Sequence, residues 1–262
     1  MELIATSGYW ALLLVVGAAC GLLNALASSG SAVSLPALLM LGLPEGMANA
    51  TNRLPVMIGA LMATFSFARR GQLDWTAARK FVPAAAVGSL VGALCAELLP
   101  NREMGILITG AVLVALVLLF TKIKTALAYE STEAPQVTFQ SIGLMFLVGA
   151  WIGLIVIDGA TYLLLVLILV CGYALPHANA LKVLLIAVTT LVPIVLFSGA
   201  GQIAWAEGSV LALGSIAGGH AGAHFSNHPA AKQWAFRLLV VVIRLEVVHL
   251  GWHYFAPLRA GA

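Results

Sequence analysis

The chain has 262 residues, of which 61% are hydrophobic and only 9% charged, with a mean hydropathy of +1.03 and a formal net charge of +3. Soluble domains carry about a quarter charged residues, so this composition excludes a soluble globular protein and leaves helices in a lipid bilayer. No nucleic-acid partner is expected of such a chain.

The apolar segments run, in order, over Tyr9 to Ala27, Ser34 to Leu43, Met47 to Phe67, Phe81 to Leu99, Met104 to Phe120, Phe139 to Ile157, Thr161 to Cys171, Ala178 to Phe197, Gly208 to Ala223 and Phe236 to Trp252. The opening Met1-Glu2-Leu3-Ile4 lacks the basic stretch and cleavage signal of a secretory peptide, so the first helix is expected to be retained. After it comes a small-residue break, Ala27-Ser28-Ser29-Gly30-Ser31, with Pro36 soon after. The segment that follows is about half the roughly 20 residues a helix needs to cross the hydrocarbon core. Asn52 and Arg53 open the next segment, and Arg69, Arg70, Arg79 and Lys80 surround the loop beyond it. Within that loop Asp74 is expected to cap a short helix running to Lys80.

The second half repeats this order. Thr161 to Cys171 is again short, behind a break at Asp158-Gly159-Ala160-Thr161. The motifs Ala48-Asn49-Ala50 and Gly71-Gln72-Leu73-Asp74-Trp75 return as Ala178-Asn179-Ala180 and Gly201-Gln202-Ile203-Ala204-Trp205, and a single offset relates both pairs. In the second copy Glu207 is the candidate cap in place of Asp74. A shared offset across an intervening apolar stretch marks an internal repeat. The expected fold is therefore an all-α polytopic membrane protein of two repeats with five segments each: 1–124, a linker over 125–137, and 138–262. Short segments at matching places in two repeats point to a binding site built from broken or re-entrant helices, here near 28–43 and 158–171. Two tight turns near the membrane surface are the plainer alternative.

Basic residues set the orientation. The linker holding Arg69, Arg70, Arg79 and Lys80 is expected on the cytoplasmic side, while its counterpart, Phe197 to Gly208, has no Lys or Arg. Lys122, Lys124, Lys232 and Arg237 also fall inside if each half makes an odd number of crossings, which inverts the halves and turns both termini outward. Trp75 and Trp205 suit the aromatic belt.

Ionisable residues in hydrocarbon cost at least about 2.5–3.5 kcal/mol each on insertion scales, so they are candidate functional groups. Arg53 and Lys182 fall one residue apart in the repeat alignment, each near the start of the helix after a break. With Asn52 and Asn179 beside them, near positive helix N-termini, they make a site suited to an anion. The Ser28, Ser29 and Ser31 backbone adds a donor surface. The competing reading has both cations snorkelling to headgroups. Asp158 is either a proton or cation coupling group or a fixed counter-ion. Arg244, a secondary candidate, has Arg237 on its face and Glu246 roughly opposite. Its counterpart, Val114, is apolar, so a private salt bridge or a homodimer contact competes with substrate contact.

Taken together, Gly17 to Gly30, Pro36, Gly42, Ala48 to Asn52 and Gly71 to Trp75, echoed by Gly149, Gly153, Gly172, Ala178 to Ala180 and Gly201 to Trp205, resemble the sulfite exporter TauE/SafE family of membrane permeases over nearly the whole chain. The first break is usually richer in glycine in that family; here serines replace most of it, and Asp158 stands in the second copy. The resemblance implies a secondary carrier of small anions, often sulfur oxyanions or organosulfonates, in the cell inner membrane. A small carboxylate is the leading alternative substrate, and an anion channel the closest alternative mechanism, since broken-helix repeats also build pores. No cofactor or metal is expected: His220 and His224 share a helical face but have no further ligands nearby and read as packing. Cys20, Cys95 and Cys171 have no CxxC spacing and read as small apolar residues. An enzyme is not expected either, because Asp158 is alone in its segment, no nucleophile-elbow motif frames a serine, and no phosphate loop is present.

Overall fold

The computed structural model describes residues 2–26, 30–108, 110–111, 135–157 and 159–225, which are helical apart from short connections and contain no strand. In chain order the helices are α1 (Glu2–Leu26), α2 (Ser31–Met40), α3 (Glu45–Arg69), α4 (Trp75–Glu97), α5 (Phe139–Leu154), α6 (Gly159–Val170), α7 (Leu175–Gly199) and α8 (Trp205–Phe225). A further helical stretch covers 101–108. Gly8–Leu26, Trp75–Glu97 and Leu175–Gly199 are long and apolar enough to cross a bilayer.

The offset that relates the motifs recurs in the helix bounds. Helices α3 and α7 begin and end at positions that the repeat makes equivalent, and α4 and α8 begin at the matching tryptophans, Trp75 and Trp205. Left-handed glycines stand at Gly42 and Gly172 (φ 88° and 77°) and at Gly71 and Gly201 (φ 68° and 67°). These are helix stops. After α3, Gly71 N–H bonds Ala68 O and Gln72 N–H bonds Phe67 O; after α7, Gly201 N–H bonds Ser198 O and Gln202 N–H bonds Phe197 O. A residue with positive φ closes the last turn in this way at little cost only if it is glycine. The Gly-Gln motifs are therefore C-caps, and their tryptophans, 56% and 50% exposed, open the next helices.

Two sequence expectations about caps change. Asp74 does cap, accepting from Thr76 and Ala77 N–H at 2.9 and 3.0 Å, but the helix it starts is not short. Helix α4 continues through Pro83 to Glu97 and packs along α5 and α7. Glu207 does not cap α8; it accepts a hydrogen bond from the Tyr9 hydroxyl at 3.3 Å.

Glycine pairs let the long helices touch backbone to backbone. On α1 a Cβ at Gly17 or Gly21 would strike the Leu211 and Ser215 carbonyls of α8, and one at Gly214 or Gly218 would strike Leu14 and Ala18 of α1. Helices α4 and α5 do the same, Gly88 and Gly92 lying against Phe146 and Ala150, and Gly149 and Gly153 against Ala85 and Ser89. Residue numbers rise together across both contacts, so each pair is parallel. Without a hydrophobic drive between helices in lipid, such close van der Waals approach is what holds them. Helix α3 packs against α7 and α8 between these pairs.

Proline leaves a gap in the backbone ladder of α7. Pro193 has no N–H for the Thr189 carbonyl one turn back, and the Ser89 hydroxyl of α4 donates to that carbonyl at 2.5 Å. His220 lies 3.3 Å from Ser66 Oγ, and His224 accepts from Arg70 at 3.0 Å while Arg70 also donates to Ala223 O at 2.8 Å.

Candidate functional site

Helices α1 and α5 both stop inside the protein, and α2 and α6 start again a few residues on. The second stop is the better described. Ile155 is extended (φ −142°, ψ 132°), and 155–157 are not helical. Trp151 Nε1 donates to Ile157 O at 2.8 Å and so braces the unwound stretch. Unwound backbone at membrane depth requires such internal partners. The two breaks touch: Ser31 Oγ, in the first turn of α2, donates to Val156 O at 3.3 Å.

The last carbonyls of a helix have no partner within it. At the end of α5 Arg53 supplies the donors, Nη1 to Ile152 O at 2.7 Å and Nη2 to Gly153 O at 2.7 Å and Leu154 O at 3.4 Å. Asn49 Nδ2, one turn earlier on α3, also donates to Leu154 O at 3.1 Å. At the end of α1 Lys182 does the corresponding work, with Nζ donating to Asn24 O at 3.0 Å and to Asn179 Oδ1 at 3.0 Å. Asn24 and Leu154 are related by the same offset as the motifs, so the two cations cap carbonyls at equivalent places. Each cation crosses to the other half of the chain to do so.

Both side chains are fully buried, at 0% exposure. This overturns the snorkelling reading: neither group reaches toward headgroups, because the carbonyl ends of α1 and α5 solvate it inside the protein. It also corrects the expected dipole environment. The direct contacts of Arg53 and Lys182 are with negative helix C-termini, where cations are favoured, rather than with positive N-termini. Phe197 of α7 lies under the Arg53 guanidinium, 5.2 Å from Cζ to the ring centroid, and adds a cation–π contact.

Asn52 faces the first break. Ser34 Oγ of α2 donates to Asn52 Oδ1 and also lies 3.2 Å from Gly30 O and 3.3 Å from Cys20 Sγ. Asn24 Oδ1 accepts from Gly30 N–H at 3.0 Å, so its side chain fixes the start of α2 while its carbonyl receives Lys182. Buried polar groups are nearly always paired. Among the described residues, however, Asn52 Nδ2, Arg53 Nε and Asn49 Oδ1 find no protein partner although they are buried. These orphans cluster on one stretch of α3 beside both breaks.

Of the residues picked from sequence, Asn52, Arg53, Asn179, Lys182 and Ser31 thus come to the paired breaks, while Ser28, Ser29, Asp158 and Arg244 lie outside the described residues. Sequence reasoning passed over Asn24, Ser34 and Asn49 as site residues. The available signal was a polar side chain within an apolar helix, one turn from a break or from a buried cation.

The family model for the sulfite exporter TauE/SafE matches residues 13–247. A probable membrane transporter protein of Haemophilus influenzae is 29% identical over 94% of this chain and 97% of its own length. A probable membrane transporter protein of a Sinorhizobium species, ORF9, is 24% identical over 90% of each chain. Probable membrane transporter protein YfcA of Escherichia coli is 26% identical over 88% of this chain and 85% of its own. No solved structure matches. With a family model spanning nearly all of its length, the chain belongs to the sulfite exporter TauE/SafE family of membrane transporters.

Proposed function

We propose that the chain is a secondary carrier that exports a small anion, a sulfur oxyanion or organosulfonate, across the cell inner membrane by alternating access between two inverted repeats. The observation that carries this reading is the pairing of each break with a buried cation. Arg53 and Lys182 neutralise the negative ends of α5 and α1. The positive N-terminal ends of α2 and α6 lie at the same breaks, where an anion is favoured. Gly30, which begins α2, has no side chain with which to cap it. Asn52 Nδ2 and Arg53 Nε are N–H donors whose pairing an oxyanion would complete. The family's description as sulfite exporters supports the sulfur oxyanion.

Inversion is supported by the direction of packing. Tyr173, just before α7, meets Asp74, just after α3, and Ala204, just after α7, meets Thr51 near the start of α3. The repeat-related helices α3 and α7 therefore run oppositely. Because α1 is parallel to α8 and α4 to α5, the first helices of the two repeats start on opposite faces. Arg69, Arg70, Arg79 and Lys80 are all exposed on the face of the Asp74 loop, which the charge rule assigns to the cytoplasm.

The test is ligand-induced thermal stabilisation of the purified protein against sulfite, sulfate, taurine, sulfoacetate, acetate and lactate. The expected result is a shift with the sulfur anions that disappears in Asn52→Leu and Lys182→Met. Shifts with acetate and lactate alone would replace the substrate class by small carboxylates. Shifts that survive both substitutions would remove the anion from the paired breaks.

A further inference from the structure

Two loops from different halves of the chain meet on the face that carries Arg69, Arg70, Arg79 and Lys80. Tyr173 follows Gly172 in the turn that ends α6, and its hydroxyl donates to Asp74 Oδ2 at 2.8 Å. Asp74 Oδ1 is occupied by the α4 cap, accepting from Thr76 and Ala77 N–H. One carboxylate thus caps a helix of the first half with one oxygen and holds the turn of the second half with the other. The turn is tied down again where Gln136 N–H, ahead of α5, donates to Cys171 O at 2.9 Å. Tyr173 and Cys171 are buried beneath these contacts, at 3% and 2% exposure.

The stretch that leads into this turn is unusual. Helix α6 widens into a π-helical turn over Val166–Val170, and the Tyr173 N–H reaches back into it, to Leu167 O. Single π turns inside α-helices are found frequently at functional sites, and this one leads into the turn that carries the phenol bound to Asp74.

On the opposite face the positions that the repeat makes equivalent to Tyr173 and Asp74 hold Leu43 and Ala204, neither of which has a polar side-chain atom. The halves are joined there by the Ala204 N–H, which donates to Thr51 Oγ1 at 3.0 Å. At these equivalent positions the two ends of the repeat are therefore closed by different chemistry, a charge-assisted side-chain contact on the basic face and a neutral contact on the other, where the Tyr9–Glu207 hydrogen bond joins α1 to α8, helices that their glycines already hold together. Hydrogen bonds to an ionised acceptor are roughly twice as strong as neutral ones.

We propose that the Tyr173–Asp74 hydrogen bond is a latch that holds the basic face shut, and that the absence of this pair at Leu43 and Ala204 biases the carrier toward the conformation open on the other face. The inference rests on the alternating-access reading above, in which contacts between the halves must break on one face as they form on the other. Because the cap and the latch use different oxygens of Asp74, the turn lifts away without unwinding the start of α4. The latch is therefore reversible.

The test uses the full chain in detergent, where both faces are reachable, with Cys20→Ala and Cys95→Ser leaving Cys171 as the thiol under the latch. A second reporter, Leu43→Cys, is placed on the opposite face in a background that also carries Cys171→Ala. Tyr173→Phe removes the donor alone, and Asp74→Asn keeps one carbonyl oxygen for the cap while losing the second acceptor. Each is expected to speed polar-maleimide labelling at Cys171 about ten- to a hundredfold, the range that loss of one hydrogen bond to a charged group allows, and to slow it at the Leu43→Cys reporter. Faster labelling at Cys171 with no change at the opposite reporter would reveal mere local loosening and overturn the proposal, as would unchanged labelling at Cys171. No substrate enters the measurement, so a wrong substrate class leaves the result standing, and a failed reciprocal response leaves the substrate assay untouched.

Discussion

Replacing Arg53 by methionine isolates the capping of α5, since it keeps most of the bulk and removes the charge with its donors. Ile152 O and Gly153 O each lose a partner at 2.7 Å, while Leu154 O keeps Asn49 Nδ2 at 3.1 Å. A buried acceptor left without a donor costs about 1–3 kcal/mol, so two of them amount to roughly 2–6 kcal/mol. Against this, the substitution removes the desolvation of a fully buried guanidinium, an effective penalty of several kcal/mol that the native fold already offsets with its carbonyls and the Phe197 ring. The contacts win in the native protein, and the net loss is expected near the lower part of the range, about 2–4 kcal/mol, or roughly 5–15 °C in Tm for a chain of this size. Arg53→Lys retains the charge but not the fork, so it should fall between the wild type and Arg53→Met. The assay is thermal unfolding in detergent without ligand. A methionine variant that melts within about 2 °C of the wild type would refute the reasoning, because it would mean that other groups satisfy those carbonyls.

The Pro193 gap in α7 makes a second test: Ser89→Ala should cost about 1–3 kcal/mol by orphaning Thr189 O, and Pro193→Ala in the same chain should recover most of it by restoring the backbone donor, read as a double-mutant cycle in Tm. Enlarging the glycine contacts should be far more severe. Gly92→Leu or Gly218→Leu must push α4 from α5 or α8 from α1, where backbone carbonyls already fill the space, and should abolish monodisperse expression, whereas Gly110→Ala meets nothing within 4 Å and should behave as wild type. Asp74 gives a pH dependence. Burial works to raise its pKa, but the Ala77 N–H, the Tyr173 hydroxyl, the Thr76 N–H and His177 together hold it below the ordinary carboxylate range. A depressed carboxylate contributes stability that is present above its unfolded pKa and lost as pH falls through its folded one. The wild type should therefore lose more Tm than Asp74→Asn on acidification below about pH 4, and parallel curves would contradict this.

The cap chemistry at residues 71–77 shows how far local sequence carries. Gly71 and Gly201 close helices because only glycine takes a positive φ freely, and Asp74 caps α4 because a short acidic side chain reaches the next two or three N–H groups. Such contacts span a few residues and were legible as motifs, as were the two short segments, the common offset of the two copies and the membrane class. Where α4 begins was less legible: the sequence suggests a short surface helix ending at Lys80 and a separate apolar segment from Phe81, whereas one helix runs from Trp75 to Glu97, packed on α5 and α7.

The candidate site divides along the same line. Composition and spacing selected Asn52, Arg53, Asn179 and Lys182, because charge and amide groups in an apolar chain are rare enough to stand out without any neighbour being known. They did not reveal that Arg53 caps a helix in the other half of the chain, that Lys182 reaches back to Asn24 in α1, or that Asn24 and Ser34 complete the first break. Sequence by itself determined the membrane helices, the common offset of the two motif copies and the identity of the buried cations, since these depend on hydropathy and short-range backbone preferences. Tertiary structure decided what the cations do, because a helix terminus becomes a partner for a distant side chain only once the glycine faces have drawn the helices together and placed both ends inside the protein.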